Sequence, residues 1–220
     1  MKQTYDAIIV GGGHNGLTTA GYLAKAGFKT LVLEKRGILG GSCVTEEIHP
    51  GHRVSTISYI VSLLRDEVVR DLELKQHGFE MIKMGGKLVI CEDEHLFLTD
   101  DEAHNRKEVG RFSNTDYDGM VKFDGMIQDI GAVVRKQMMS APPKLDAGIK
   151  DLLSLAKLGL DIKKLSLSQR HRLIQIFTSS AYDIIERWFE SPMIKNMYLA
   201  ACFSGNFASL RQPGSALPFF

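Results

Sequence analysis

The chain has 220 residues, with 27 Lys and Arg against 26 Asp and Glu, a net charge of +1 and 44% hydrophobic residues. That apolar content excludes a mainly disordered chain, and the charge balance leaves no basic excess to drive non-specific nucleic-acid binding. No apolar run approaches the roughly 18 residues of a membrane helix, and the N-terminus carries neither signal-peptide nor transit-peptide features. Three scattered cysteines, Cys43, Cys91 and Cys202, make no disulfide framework. They predict a reducing, cytoplasmic setting, with the mitochondrial matrix as the eukaryotic alternative.

Residues 5–10 are a short apolar run ending in three glycines, the pattern of a strand covered on both faces of a parallel sheet. Residues 15–26 read as a helix stopped by Gly27, and 29–34 (KTLVLE) as a second buried strand. Together they make one βαβ unit. Apolar residues at Ile57, Ile60, Val61, Leu64, Val68 and Leu72 keep a helical period, which predicts a helix between 57 and 74. Three runs follow (FEMIKM, KLVIC, HLFLT), separated by Gly85-Gly86 and Glu92-Asp93-Glu94, and predict an antiparallel meander. Beyond Asp100 the pattern is helical. One helix spans 117–139, with Met120, Phe123, Met126, Ile130 and Met138 on one side, broken at Ala141-Pro142-Pro143. Further segments cover 149–160 and 168–189, the latter capped near Ser166 or Ser168, and Ser191-Pro192 opens a helix to about Phe203. Residues 211–220 show no period. The predicted class is α/β: a Rossmann-like, nucleotide-binding part over 1–78, then a small antiparallel sheet and a mostly helical cap over 79–220. Wide apolar stripes on 117–139 and 168–189 predict self-association, or pairing with a complementing chain, through the helical region.

The chemistry concentrates at the start. Gly11, Gly13 and Gly16 match G-x-G-x-x-G between a strand and a helix. Gly11 permits the tight turn, Gly13 lets backbone approach a pyrophosphate, and Gly16 lets helix and strand pack closely. His14 and Asn15 lie in the same turn, where the helix N-terminus offers free N–H groups to phosphate. Glu34 ends the second strand eighteen residues after Gly16, beside the turn, where its carboxylate can accept from ribose hydroxyls. A carboxylate there disfavours a 2′-phosphate, although Lys35 and Arg36 follow it. A second pair, Gly40-Gly41, followed by Ser42, lets another backbone segment approach the cofactor.

Gly11, Gly13, Gly16, Ala20, Glu34, Gly40 and Gly41 together resemble the extended motif of the glutathione-reductase-type FAD fold. The resemblance implies FAD as cofactor, Glu34 on the adenosine ribose and Arg36 over the cofactor. Disulphide reductases of that superfamily carry two cysteines five positions apart after the glycine pair. Here Cys43 stands at the first position and Ile48 at the second, so no dithiol relay is implied. Val44-Thr-Glu-Glu-Ile48, Pro50-Gly51, Ser58-Tyr59, Ser62-Leu-Leu-Arg65, Asp71 to Gly78, Trp188-Phe-Glu-Ser191 and Pro213-Gly-Ser215 extend the likeness. On these residues the chain resembles the phytoene-desaturase and carotenoid-isomerase group of flavin oxidoreductases. Ser55 and Ile57 depart from the desaturase pattern G-F-x-F-D-x-G, which argues against carotenoid desaturation itself. Members of the group are longer, so the resemblance implies the N-terminal half of such an enzyme, with an apolar small-molecule substrate facing the helical cap. It names no catalytic residue.

Other constellations carry less. Cys43, His49 and His52 fit no zinc spacing, so no metal is expected. Cys43 reads as a small buried residue. Lys163-Lys164 and Arg170-His171-Arg172 read as solvated helix faces, and Asp100-Asp101-Glu102 as an acidic helix N-terminus.

Overall fold

In the computed structural model, which describes residues 4–61, 63–138, 148–203 and 207–219, strand β1 (Ala7–Val10) consists of Ala and three β-branched residues. Helix α1 (His14–Lys25) leaves it through the glycine turn and ends at Gly27, whose φ of +90° belongs to the left-handed region that glycine enters without strain. Strand β2 (Thr30–Leu33) returns parallel to β1, in register from Ala7 opposite Thr30 to Val10 opposite Leu33. The predicted βαβ unit is therefore present. The expectation of strands covered on both faces is not met. Among the described residues α1 is the helix packed on this two-stranded sheet, and side chains alternate between its faces. Ile8 is 60% exposed, Val10 84% and Leu33 49%.

Strands β3 (Thr45–His49) and β4 (His52–Ser55) form an antiparallel hairpin with a register shift between Glu47 and His49. Its turn places Pro50 before Gly51, and Gly51 has a φ of +81°. The helix expected over 57–74 shrinks to α2 (Asp66–Asp71), followed by a 3-10 turn at Leu74–His77. Ile57, Ile60, Val61 and Leu64 are all exposed, and a helix whose apolar side meets nothing is marginal in water. These elements lie in the first of two compact units, Met1–Lys83.

The second unit, Met84–Phe220, holds the core. Strands β5 (Lys87–Cys91) and β6 (Glu94–Leu98) make a second hairpin. The first run of the expected meander, 79–84, pairs with neither, and Met81 and Ile82 point to solvent. Helix α3 (Glu102–Gly110) is capped by Asp101, whose side chain accepts from Ala103 N and His104 N. That is the ordinary role foreseen for the acidic cluster. Helix α4 (Asp116–Met138) buries Met120, Phe123, Met126 and Ile130. The Ala141-Pro142-Pro143 break and Met139 lie outside the described residues. Helix α5 (Ile149–Lys164) runs four residues past its predicted end.

The segment 168–189 is two helices, α6 (Leu167–Thr178) and α7 (Ala181–Trp188). A capping box at Ser166 starts the first. Ser179 and Ser180 are extended between them; Ser179 O accepts from Gly214 N at 2.9 Å, and Ser180 Oγ accepts from Asp183 N to start α7. Helix α8 (Pro192–Phe203) begins where predicted. Its start is fixed by Asp116, which is almost fully buried; its two carboxylate oxygens accept from Glu190 N at 2.9 Å and Ser191 N at 2.8 Å.

Phe123 centres the core, with Trp188, Phe189, Tyr198 and Phe219 edge-on at 5.0–5.6 Å between ring centroids. The tail, featureless in sequence, is packed: Ser215 Oγ accepts from Ala181 N, and Ala216 is fully buried. The apolar stripes of α4 and α7 close on this core. Exposed apolar side chains lie on β1–β2, over 57–64 and on α5 and α6, and also at Ile82, Leu88, Ile90, Val121 and Phe203.

Candidate functional site

The glycine turn is held from both sides by backbone. Gly11, at φ +102°, donates its N–H to Leu33 O at 2.7 Å and so closes the end of β1 onto β2. Gly13 is the N-cap of α1, extended, and its carbonyl accepts from Leu17 N at 2.9 Å. No side chain caps this helix, whereas Asp101, Ser166 and Ser180 cap α3, α6 and α7. The first turn of α1 thus presents its N–H groups with the exposed side chains of His14 and Asn15 around them. A Cβ on Gly16 would lie 2.0 Å from Gly11 O, so this glycine serves the close packing of helix on turn.

Glu34 comes out of β2 beside the turn, as its position predicts. Its Oε2 accepts from Gly12 N at 2.7 Å and its Oε1 from Arg36 N at 2.9 Å. These backbone donors, Arg36 first and then Gly12, hold the carboxyl below the ordinary carboxylate range. Sequence reasoning missed Gly12. A Cβ there would stand 2.5 Å from Leu39 Cδ2 and 3.3 Å from Glu34 Cβ, so the third glycine in the row makes room for the carboxylate. The signal was the extra glycine at a position the motif leaves free. A carboxylate has about four lone-pair sites, so room remains for a hydroxyl donor.

The second glycine pair lies against the first turn. Gly40 N donates to Gly12 O at 2.8 Å, Gly13 and Gly40 form a parallel bridge, and a Cβ on Gly41 would lie 2.9 Å from Gly13 Cα. Gly11, Gly13, His14, Asn15, Gly16, Glu34, Gly40 and Gly41 are therefore one cluster. Lys35 is exposed. Arg36 is turned to β3, where its guanidinium pairs with Glu46. Ser42 offers its carbonyl to Ser58 N at 3.2 Å. Cys43 is exposed, not buried as expected, because the 3-10 turn Gly41–Cys43 directs it outward, with Sγ 3.8 Å from Ser58 Oγ.

With this geometry in view, the relatives can be compared. A family model described as an NAD(P)-binding Rossmann-like domain matches residues 9–72, which include every element of the cluster. Over 98% of its length the chain is 30% identical to pyridine nucleotide-disulfide oxidoreductase domain-containing protein 2 of Rattus norvegicus, covering 40% of that protein. The chain is a homologue of this protein. It is also 43% identical over 38% of its length to a limonene dehydrogenase polypeptide of Castellaniella defragrans, covering 15% of that polypeptide. A solved structure of putrescine oxidase, an A394C mutant, shares the fold with a TM-score of 0.54 at 18% identity; it covers 97% of this chain, which spans 40% of that one. The chain thus carries a Rossmann-like domain of NAD(P)-binding type near its start, and spans about two-fifths of the length of the relatives that match it throughout. No helix among the described residues is long and apolar enough to cross a membrane.

Proposed function

We propose that the glycine cluster binds the ADP part of FAD, with pyrophosphate at the N-terminus of α1 and the adenosine ribose on Glu34. The observation that supports this most is the Glu34 carboxylate, fixed by Gly12 N and Arg36 N at the mouth of an uncapped helix. Bound flavin supplies hydride chemistry, and the protein binds and orients it. The substrate would be an apolar small molecule. Arg36, engaged by Glu46, would first have to leave that partner to lie over the cofactor.

Glu34→Ala should weaken ADP and FAD binding roughly tenfold or more, the consequence of ribose hydroxyls and the Gly12 N–H losing their acceptor. Calorimetry with ADP checks it, and unchanged affinity would sink the assignment. The pH dependence has a definite sign. A carboxyl whose folded pKa is depressed contributes fully above its unfolded value, ~4.3, and its contribution fades as pH falls through the folded value. ADP affinity should therefore hold from neutrality down to mildly acid pH and decline only below that.

Cys43 has no partner thiol at Ile48, so Cys43→Ser should leave flavin reduction by a chemical reductant intact. Loss of reduction with FAD still bound, read by absorbance, would contradict this.

A second reading is favoured by one observation. β1 and β2 form a parallel sheet of two strands with exposed Ile8, Val10 and Leu33, and such sheets are ordinarily covered on both faces. In this reading the chain is a non-catalytic nucleotide-binding piece that pairs with a second copy or with another polypeptide. A yellow purified protein with the spectrum of oxidised flavin supports the first reading. A colourless protein that binds ADP, and turns yellow with FAD only when a complementing polypeptide is added, supports the second.

A further inference from the structure

Helices α5 and α6, joined by Leu165 and Ser166, hold six Lys and Arg against two Asp, a local net charge of +4 in a chain whose total is +1. Helix α6 has no acidic residue. On α5, Asp161 is buried and bonded by Lys164 Nζ at 3.2 Å. The same pair of helices carries a large share of the unit's exposed apolar side chains. Leu152 and Leu153 are each 65% exposed and Leu160 59%, and on α6 Leu167, Ile174 and Phe177 are exposed as well.

Their arrangement is not random. At 3.6 residues per turn, Leu152, Leu153 and Leu160 fall within an arc of about 100°. Lys163 lies in the same arc at the C-terminal end of α5, and Lys157 and Lys164 flank it; all three are exposed. The opposite side of α5, with Leu158 and Ile162 half-buried and Asp161 buried, faces the unit's own interior. Helix α5 is therefore apolar on two sides, and the outward one is bordered by ammonium groups on long stems. Such lysines can hold their charge at a polar layer while the leucines between them lie deeper.

We propose that α5 and α6 dock this unit on an anionic lipid surface, with the outward leucines in the headgroup–acyl boundary and the lysines on lipid phosphates. A lipid surface satisfies both halves of the pattern at once, the apolar side chains and the uncompensated positive charge. A second copy of the chain satisfies only the first, because a two-fold contact through this surface sets the exposed lysines of one copy against those of the other. The attachment is to the surface alone, since no described helix can span. The inference is independent of the dinucleotide reading, whose residues all lie in the other unit.

Co-sedimentation of the full chain with vesicles tests it, comparing phosphatidylcholine alone with phosphatidylcholine containing about one-third phosphatidylglycerol. The expected result is at least about tenfold stronger partition onto the anionic vesicles, lost at high salt. Lys157→Glu with Lys163→Glu should lower that partition about tenfold or more. Leu152→Ser with Leu160→Ser should lower it comparably, with helical circular dichroism and thermal midpoint retained, because both leucines are already in water. Equal partition on the two vesicle types, no partition at all, or partition indifferent to both double variants would overturn the proposal. So would self-association in sedimentation velocity that the leucine variant abolishes while wild-type protein ignores vesicles; that result would assign the face to a second copy.

Discussion

Gly16→Ala is expected to destabilise the Met1–Lys83 unit by about 3 kcal/mol or more and to remove measurable ADP binding. The new Cβ would sit 2.0 Å from Gly11 O and 3.2 Å from Gly11 C, and both are backbone atoms of the turn itself. Neither can rotate away. Relief requires α1 to lift from β1, which opens the space that Ile9 Cγ2, 3.4 Å from the same Cβ, helps to close. Denaturant melts of the purified variant measure the loss. Gly13→Ala is the informative contrast. Its Cβ would have Gly41 Cα as nearest neighbour at 3.6 Å, an ordinary contact, and Gly13 has φ −77°, which alanine adopts freely. Stability should change by less than about 1 kcal/mol. If pyrophosphate lies against Gly13, ADP affinity should nevertheless fall steeply. A Gly13→Ala protein that binds ADP as wild type would place the phosphates elsewhere.

Phe123→Ala should cost about 3–5 kcal/mol in the Met84–Phe220 unit. The ring is 1% exposed and is the common neighbour of four aromatic rings drawn from α7, the residue after it, α8 and the tail. Deleting it leaves a cavity that those rings cannot fill together, since Phe189 and Tyr198 are already stacked on each other at 4.8 Å. Trp188 is the chain's single tryptophan and one of the four, so its fluorescence reports the transition directly. A variant whose urea midpoint is unchanged by that signal would show that the core is not organised around Phe123.

The nucleotide-binding start was legible because each of its signals is local: glycines at fixed offsets, short β-branched runs, a carboxylate at a strand end. The helices after Asp100 were legible from period and caps, down to Ser166. What failed depended on partners that a period cannot reveal. Six apolar positions between 57 and 74 keep helical spacing, yet nothing in the described structure covers Ile57, Ile60, Val61 or Leu64, so the chain forms only α2 there. The run 79–84 had strand composition but gained no neighbouring strand. The β3–β4 hairpin was missed although Pro50-Gly51 is a turn signature, because Thr45-Glu-Glu-Ile-His49 is too polar to read as a strand. The split of 168–189 depends on Gly214 reaching Ser179 O from 35 residues downstream, and no local pattern contains that. In the cluster itself, the roles of Gly12 and Glu46 arise from neighbours 22 and 10 residues away.

Asp116 has a consequence for the order in which the helical unit assembles. Its carboxylate holds the two amides just before α8 from 74 and 75 residues away, so that entry to the helix is not fixed until the first turn of α4 has been brought to it. Closing so long a loop is entropically costly and slow compared with forming either helix alone. The two amides it holds, Glu190 and Ser191, then cannot fray with a local end of chain. They should exchange their hydrogens only when the whole unit opens, among the slowest in the protein, although each stands just before a helix begins.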